Sequence, residues 1–222
     1  MKNFILTEIT TLLVLIATAK NNKLPVEEWI SSDQTPFVLY ISGDGGLNSF
    51  STRICKSINQ HGYSITAVNA KTYFWDKKTP DESASDLGNY LEKQMTGRKN
   101  QQIVLAGYSF GADVLPFIAN RLPDSLKKKI IHIFLLSPST STDFEIHWLD
   151  IFGGKKKRSM NVVAEVNKIN TIKTTAIFGT TETDFPVNDI HLKNFSHEYL
   201  SGGHHFDENT TALVKTMSKY LK

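Results

Sequence analysis

Short apolar runs alternate along the chain with segments whose apolar residues recur every three or four positions. Runs of strand length occur at Pro36 to Ser42, Tyr63 to Ala70, Ile103 to Ala106, Ile130 to Leu136, Thr174 to Phe178 and Phe195 to Leu200. Most lack a polar alternation, which predicts strands buried on both faces. Leu24-Pro25-Val26 to Ile30 predicts a further strand at a sheet edge.

Helical spacing links Phe50, Ile54 and Ile58, and Gly62 closes that helix. Thr79-Pro80-Asp81-Glu82 is a capping box with proline at the first helical position. It opens a helix whose buried face carries Ala84, Leu87 and Leu91 as far as Gly97. Ala112, Leu115 and Ile118 mark a helix with a kink expected at Pro116, and Leu213, Met217, Tyr220 and Leu221 put an apolar stripe on the closing helix. Strands alternating with helices predict an α/β fold: a mainly parallel sheet with helices on both faces. Tyr73-Phe74-Trp75 is expected to end a strand on the rim where ligands bind, with Trp75 lining a pocket. Beyond Ser137 a long stretch through Phe144-Glu145-Ile146-His147-Trp148 has no clear period, and reads as a lid or substrate-binding insertion.

Composition narrows the setting. A length of 222 residues fits one domain plus a short leader. Lys2, the apolar stretch ending in Leu12-Leu13-Val14-Leu15-Ile16 and the small residues Ala17-Thr18-Ala19 have the order of a secretory signal peptide over residues 1–19, leaving residues 20–222 as an exported, periplasmic domain. A net charge of +3 gives no argument for nucleic acid. The one dense basic run in the interior of the chain, Lys155-Lys156-Lys157-Arg158, reads as a solvated loop or as a contact with an anionic phospholipid surface. A single cysteine, Cys55, excludes an internal disulfide and a multi-cysteine metal site.

Chemistry enters at Gly107-Tyr108-Ser109-Phe110-Gly111, which stands between an apolar strand and a helical pattern. In that setting Gly-x-Ser-x-Gly is a nucleophile elbow: the turn is too tight for side chains at Gly107 and Gly111, and it presents the Ser109 hydroxyl above the sheet edge. An oxyanion site is expected from the amide of Phe110 and, in the earlier loop Gly43-Asp44-Gly45-Gly46, from the amide of Asp44, with Gly45 letting the backbone approach substrate. A serine needs a base, and the order in this fold class is serine, acid, histidine. His204 and His205 follow Gly202-Gly203 after the last expected strand; His204 is taken as the base and His205 as a neighbour that contacts substrate. Gly179-Thr180-Thr181-Glu182-Thr183-Asp184 offers two acids, with Asp184 preferred for its shorter side chain and Glu182 as the alternative. The glycines of the first loop are mis-spaced for a dinucleotide fingerprint and no metal-ligand motif is present, so neither cofactor nor metal is expected.

Together with Leu24-Pro25-Val26-Glu27, Tyr73-Phe74-Trp75, Ala112-Asp113-Val114-Leu115-Pro116-Phe117, Phe144-Glu145-Ile146 and Asn161-Val162-Val163-Ala164-Glu165, these motifs resemble the bacterial virulence proteins of the VirJ family and the matching domain of AcvB. Leu47 and Phe185 depart from the family pattern. The resemblance implies an exported α/β-hydrolase that cleaves the aminoacyl ester of lysyl-phosphatidylglycerol and associates with proteins of a type IV secretion system. Such a substrate carries an ammonium group, for which Asp44, Asp113 and Glu145 are the candidate partners. Two other functions remain open: a carboxylesterase or thioesterase for small acyl substrates, and a non-catalytic partner of the secretion machinery.

Overall fold

A computed structural model describes residues 24–146 and 158–221. The proposed leader, most of the Lys155–Arg158 run and Trp148 therefore lie outside the described residues. Nine strands are assigned among those described: β1 (Val26–Trp29), β2 (Phe37–Ile41), β3 (Ile65–Val68), β4 (Ile103–Tyr108), β5 (Ile130–Leu136), β6 (Ser141–Thr142), β7 (Met160–Asn161), β8 (Lys173–Gly179) and β9 (Phe195–Leu200). Seven of them form a sheet in the order β1-β3-β2-β4-β5-β8-β9. Every neighbouring pair is parallel except β1 with β3 at the edge.

The helices are α1 (Ser49–Gln60), α2 (Ala70–Tyr73), α3 (Pro80–Met95), α4 (Phe110–Arg121), α5 (Asp124–Lys127), α6 (Val162–Val166) and α7 (Thr210–Ser218). Successive residues of the central strands point to opposite faces, so each strand feeds two cores. Leu39, Ile41, Ile103, Leu105, Ile133 and Leu135 join Leu87, Leu91, Leu115 and Ile118 of α3 and α4 on one face. Val38, Tyr40, Val104, Ala106, Phe134 and Leu136 join Phe50, Ile54, Leu213 and Met217 of α1 and α7 on the other. The continuous apolar runs are the direct consequence, since nearly every position on these strands is shielded from water.

Two local expectations change. Tyr73-Phe74-Trp75 ends the short helix α2, started by an Asn69 side chain that accepts from the Thr72 amide, and does not end a strand. The stretch after Ser137 holds an antiparallel pair, β6 with β7, whose register sets Ser141 against Asn161 and Thr142 against Met160. That pairing leads directly into α6, capped by Asn161.

Candidate active site

Five adjacent strands, β2, β4, β5, β8 and β9, deliver their carboxyl ends to one rim, and each contributes a part of the site. On β4 the chain turns at Ser109, held at φ 53° and ψ −121°, a conformation that costs backbone energy in any residue but glycine. The flanking glycines permit it. A Cβ on Gly107 would stand 2.7 Å from the Ala112 nitrogen, and one on Gly111 would overlap the carbonyl of Ile41 and lie 2.6 Å from that of Ser42. Strand, turn and α4 are thus packed backbone on backbone, which fixes the position of the Ser109 hydroxyl.

Beyond β9, Gly202 (φ +97°) and Gly203 fold the chain back toward β4. His204 Nε2 lies 2.8 Å from Ser109 Oγ, and its Nδ1 lies 2.8 Å from Glu182 Oε1. The His204 carbonyl accepts a hydrogen bond from the Tyr108 hydroxyl at 3.0 Å, so the residue preceding the serine also braces the imidazole loop.

The carboxylate behind the ring belongs to Glu182 and not to Asp184, which corrects the preference for the shorter side chain. The reason is a tight turn: the Glu182 amide donates to the Gly179 carbonyl (2.9 Å) and the side chain folds back so that Oε2 accepts from the Gly179 amide (2.8 Å) and from Ser137 Oγ (2.7 Å). The longer side chain is needed to reach the ring from that turn. Asp184 lies two residues farther on, exposed, where the chain departs toward buried Phe185. Burial pushes the Glu182 carboxyl up, but the hydrogen bonds from His204, the Gly179 amide and Ser137 outweigh it and hold it below the usual carboxylate range. An ionised Glu182 can only accept, so Nδ1 carries the proton and Nε2 is left as acceptor for the serine.

The oxyanion donors expected from sequence lie where the loop and elbow meet. A Cβ on Gly43 would stand 3.3 Å from the Ser109 Cβ, so the first glycine, more than Gly45, makes the close approach. A Cβ on Gly45 would stand 3.3 Å from Asn48 Nδ2. The Gly46 amide donates to the Gly43 carbonyl at 2.9 Å, and neither the Asp44 nor the Phe110 amide has an acceptor among the described residues. Phe110 is the first residue of its helix, where an N–H has no intrahelical partner and carries part of the positive end of the dipole.

The remaining candidates divide. Asp113 is only 7% exposed, and its two oxygens accept from the Ser139 amide (2.6 Å) and hydroxyl (2.7 Å). It ties the segment after β5 to the elbow helix and is not free to meet a ligand's ammonium group. Burial pushes its carboxyl up to about 7, against the lowering effect of both Ser139 bonds and of His204. Asp44, by contrast, is half-buried and has no hydrogen-bond or ion-pair partner among the described residues, and its charge raises the pKa of both Asp113 and Tyr108. Glu145 lies half-buried between the anchored side chains Phe144 and Ile146. Trp75 is 57% exposed, and the aromatic side chain next to the serine is instead the half-buried Phe110, backed in the core by fully buried Phe74 (5.1 Å between ring centroids), with Phe144 beyond Phe74 (5.7 Å). His205 is exposed, its ring set against Phe50 (5.6 Å) and Tyr108 (6.1 Å), and it bonds to none of the three residues aligned at the serine.

Sequence reasoning missed Ser137, Ser139, Gly43 and the Tyr108 hydroxyl. Ser137 carried one usable signal: it follows an uninterrupted apolar run, so it stands at the end of a buried strand, on the rim where parallel sheets hold ligands.

Residues 33–222 match the family described as bacterial virulence protein (VirJ). Among solved structures, MenH from S. aureus superposes with a TM-score of 0.63 at 13% identity, covering 89% of this chain and 99% of that one. Est1E from Butyrivibrio proteoclasticus, solved with bound ferulic acid, gives 0.61 at 15% identity over 88% and 95%. The thioesterase domain from the curacin biosynthetic pathway gives 0.57 at 15% over 87% and 94%. At these identities the likeness is one of fold, the α/β-hydrolase fold. No match was found among curated protein sequences.

Proposed function

Because the chain belongs to the VirJ family of bacterial virulence proteins and has the α/β-hydrolase fold, we propose that it is a serine hydrolase that cleaves an ester bond with Ser109, His204 and Glu182. One observation carries the proposal: the unbroken line from Ser109 Oγ through both ring nitrogens of His204 to Glu182, at 2.8 Å on either side of the ring. In the reaction Ser109 Oγ attacks the ester carbonyl while His204 Nε2 takes its proton. The carbonyl oxygen gathers negative charge and is met by the amides of Phe110 and Asp44. Collapse of the tetrahedral intermediate expels the alcohol, which receives the proton from His204, and a water activated by the same nitrogen then frees the acyl group. Glu182 stabilises the imidazolium in both halves of the cycle without taking its proton.

The substrate reading follows the family resemblance: the aminoacyl ester of lysyl-phosphatidylglycerol, met outside the cytoplasm after export. The carboxylate of Asp44, without a partner among the described residues and one residue beyond the Gly43 that packs against Ser109, supports a cationic acyl group, with Glu145 as second candidate and Asp113 withdrawn from that role. Contact with an anionic membrane through Lys155–Arg158, and with secretion-system proteins, rests on sequence alone. A small-acyl esterase or thioesterase is the second reading, supported by the half-buried Phe110 ring next to Ser109, which suits an uncharged acyl group. The decisive assay gives purified protein lysyl-phosphatidylglycerol beside neutral short-chain esters and thioesters. Preference for the aminoacyl lipid is expected, and Ser109→Ala should lower kcat at least about 10⁴-fold with folding intact. A Ser109→Ala variant that hydrolyses as well as wild type would remove Ser109 as the nucleophile, and a wild type that hydrolyses none of these substrates and is unlabelled by a serine-directed phosphonate would return the chain to a non-catalytic role.

A further inference from the structure

Ser137 is a non-glycine residue held in the left-handed region, at φ 50°, and its residue surface is only 2% exposed. A buried L-residue in that conformation is disfavoured, so something its side chain does must be worth keeping. Its backbone amide donates to the Ile177 carbonyl of β8 at 2.8 Å, which explains the conformation of the main chain but asks nothing of the side chain. Its hydroxyl is directed at the 2.7 Å bond to Glu182 Oε2 and lies 3.4 Å from the carbonyl of His204.

The two oxygens of Glu182 are thereby given different tasks. Oε2 is gripped by two donors from neighbouring strand ends, Ser137 Oγ beyond β5 and the Gly179 amide at the end of β8; Oε1 meets His204 Nδ1. We propose that Ser137 is a positioning residue of the hydrolytic site, whose hydroxyl fixes the rotation of the Glu182 carboxylate so that Oε1 stays in line with the imidazole. This rests on the serine-hydrolase reading of Ser109, His204 and Glu182. One backbone donor alone would leave the carboxylate free to swing about the end of a flexible side chain; a second donor from a different strand removes that freedom. Among the described residues the titratable groups facing Glu182 are His204 from the loop after β9 and Tyr108 from β4.

Ser137→Gly tests this cleanly, because glycine adopts the same φ and keeps the amide bond to Ile177 while deleting the hydroxyl; Ser137→Ala serves as the second variant. With the Tm held, both should lower kcat about 10-fold or more while KM stays within about twofold, the loss of one charge-assisted hydrogen bond. The acidic limb of the rate profile should move to higher pH, since the Glu182 carboxylate, with one donor fewer, favours the protonated imidazole more strongly. The downfield proton resonance of His204 Nδ1–H should shift in the same variants. Wild-type kcat, acidic limb and resonance in Ser137→Gly, with Ser109→Ala inactive, would overturn the positioning role alone. An active Ser109→Ala would overturn the serine-hydrolase reading and this inference with it.

Discussion

At the scale of single residues, the site depends on one hydroxyl, one ring and one carboxylate whose protonation states are fixed by their neighbours. Ser109 is exposed to its base by a strained φ, His204 is set in one tautomer by Glu182, and Glu182 is kept ionised by three donors. The choice between the two acids is therefore testable. Glu182→Gln replaces an acceptor by a group that favours the wrong tautomer, and should lower kcat by about 10³-fold or more. Asp184→Asn should leave kcat within about twofold, the ordinary consequence of neutralising an exposed side chain that does not bond to the base. Steady-state kinetics of the two variants side by side checks the assignment, and the reverse pattern would restore Asp184.

At the scale of elements, the elbow works because β4, α4 and the end of β2 touch through their backbones. Gly111 is where that contact is closest, as an added Cβ would run into the carbonyls of Ile41 and Ser42, neither of which can move without disturbing the sheet. Gly111→Ala should destabilise the protein by about 3 kcal/mol or more, toward the upper end for single substitutions, as read by urea unfolding. A second junction couples elements around the site. Through Asp113 and Ser139 the elbow helix holds the start of the segment containing β6, and the Val162 amide donates to the Thr140 carbonyl at 3.0 Å, which draws in β7 and α6. Within the same segment Arg158 pairs with Asp143 at 3.5 Å and its amide donates to Ser141 Oγ at 3.0 Å. The stretch whose lack of period suggested a lid is thus tied to α4 at its described ends.

At the scale of the whole molecule, buried carboxyls make stability depend on pH in two opposite senses. Asp113, raised to about 7, is protonated in the folded state where the unfolded chain would already have ionised. Its contribution is fully present below the ordinary carboxylate pKa and is lost as pH rises through about 7. Glu182 and Glu165 run the other way. Burial raises both, but hydrogen bonds outweigh it: Glu182 is held by His204, Gly179 and Ser137, and Glu165 by Lys168 (2.7 Å), Asn120 (3.1 Å) and Arg121 (2.9 Å). Their contributions are present above the ordinary carboxylate pKa and vanish as pH falls through the lowered folded values. Burial lowers the His132 imidazole to about 4, so its contribution is lost as pH falls through that region and opposes that of Asp113. Between pH 5 and 8 the slope of Tm against pH should therefore be more positive in Asp113→Asn than in wild type, a comparison that calorimetry across that range makes directly. An equal slope in the variant would mean that another group titrates there.

The primary structure determined the sheet and its coverings, because period and run length report burial: uninterrupted runs at Val38, Val104 and Ile133 mean strands with two dry faces, and the three-to-four spacing of Phe50, Ile54 and Ile58 means a helix with one. It determined the position of the elbow as well, since Gly107 and Gly111 leave a signature of steric necessity in consecutive residues. Where Trp75 and Phe74 point, which of two nearby acids meets His204, and that Asp113 serves Ser139, were decided only by the folded chain. Those outcomes depend on turns of two or three residues and on partners from other strands: Glu182 is selected by Gly179 beside it and by Ser137, 45 residues before it. Local pattern records how much water a residue meets; which atom it meets is set when distant strand ends arrive at the same rim.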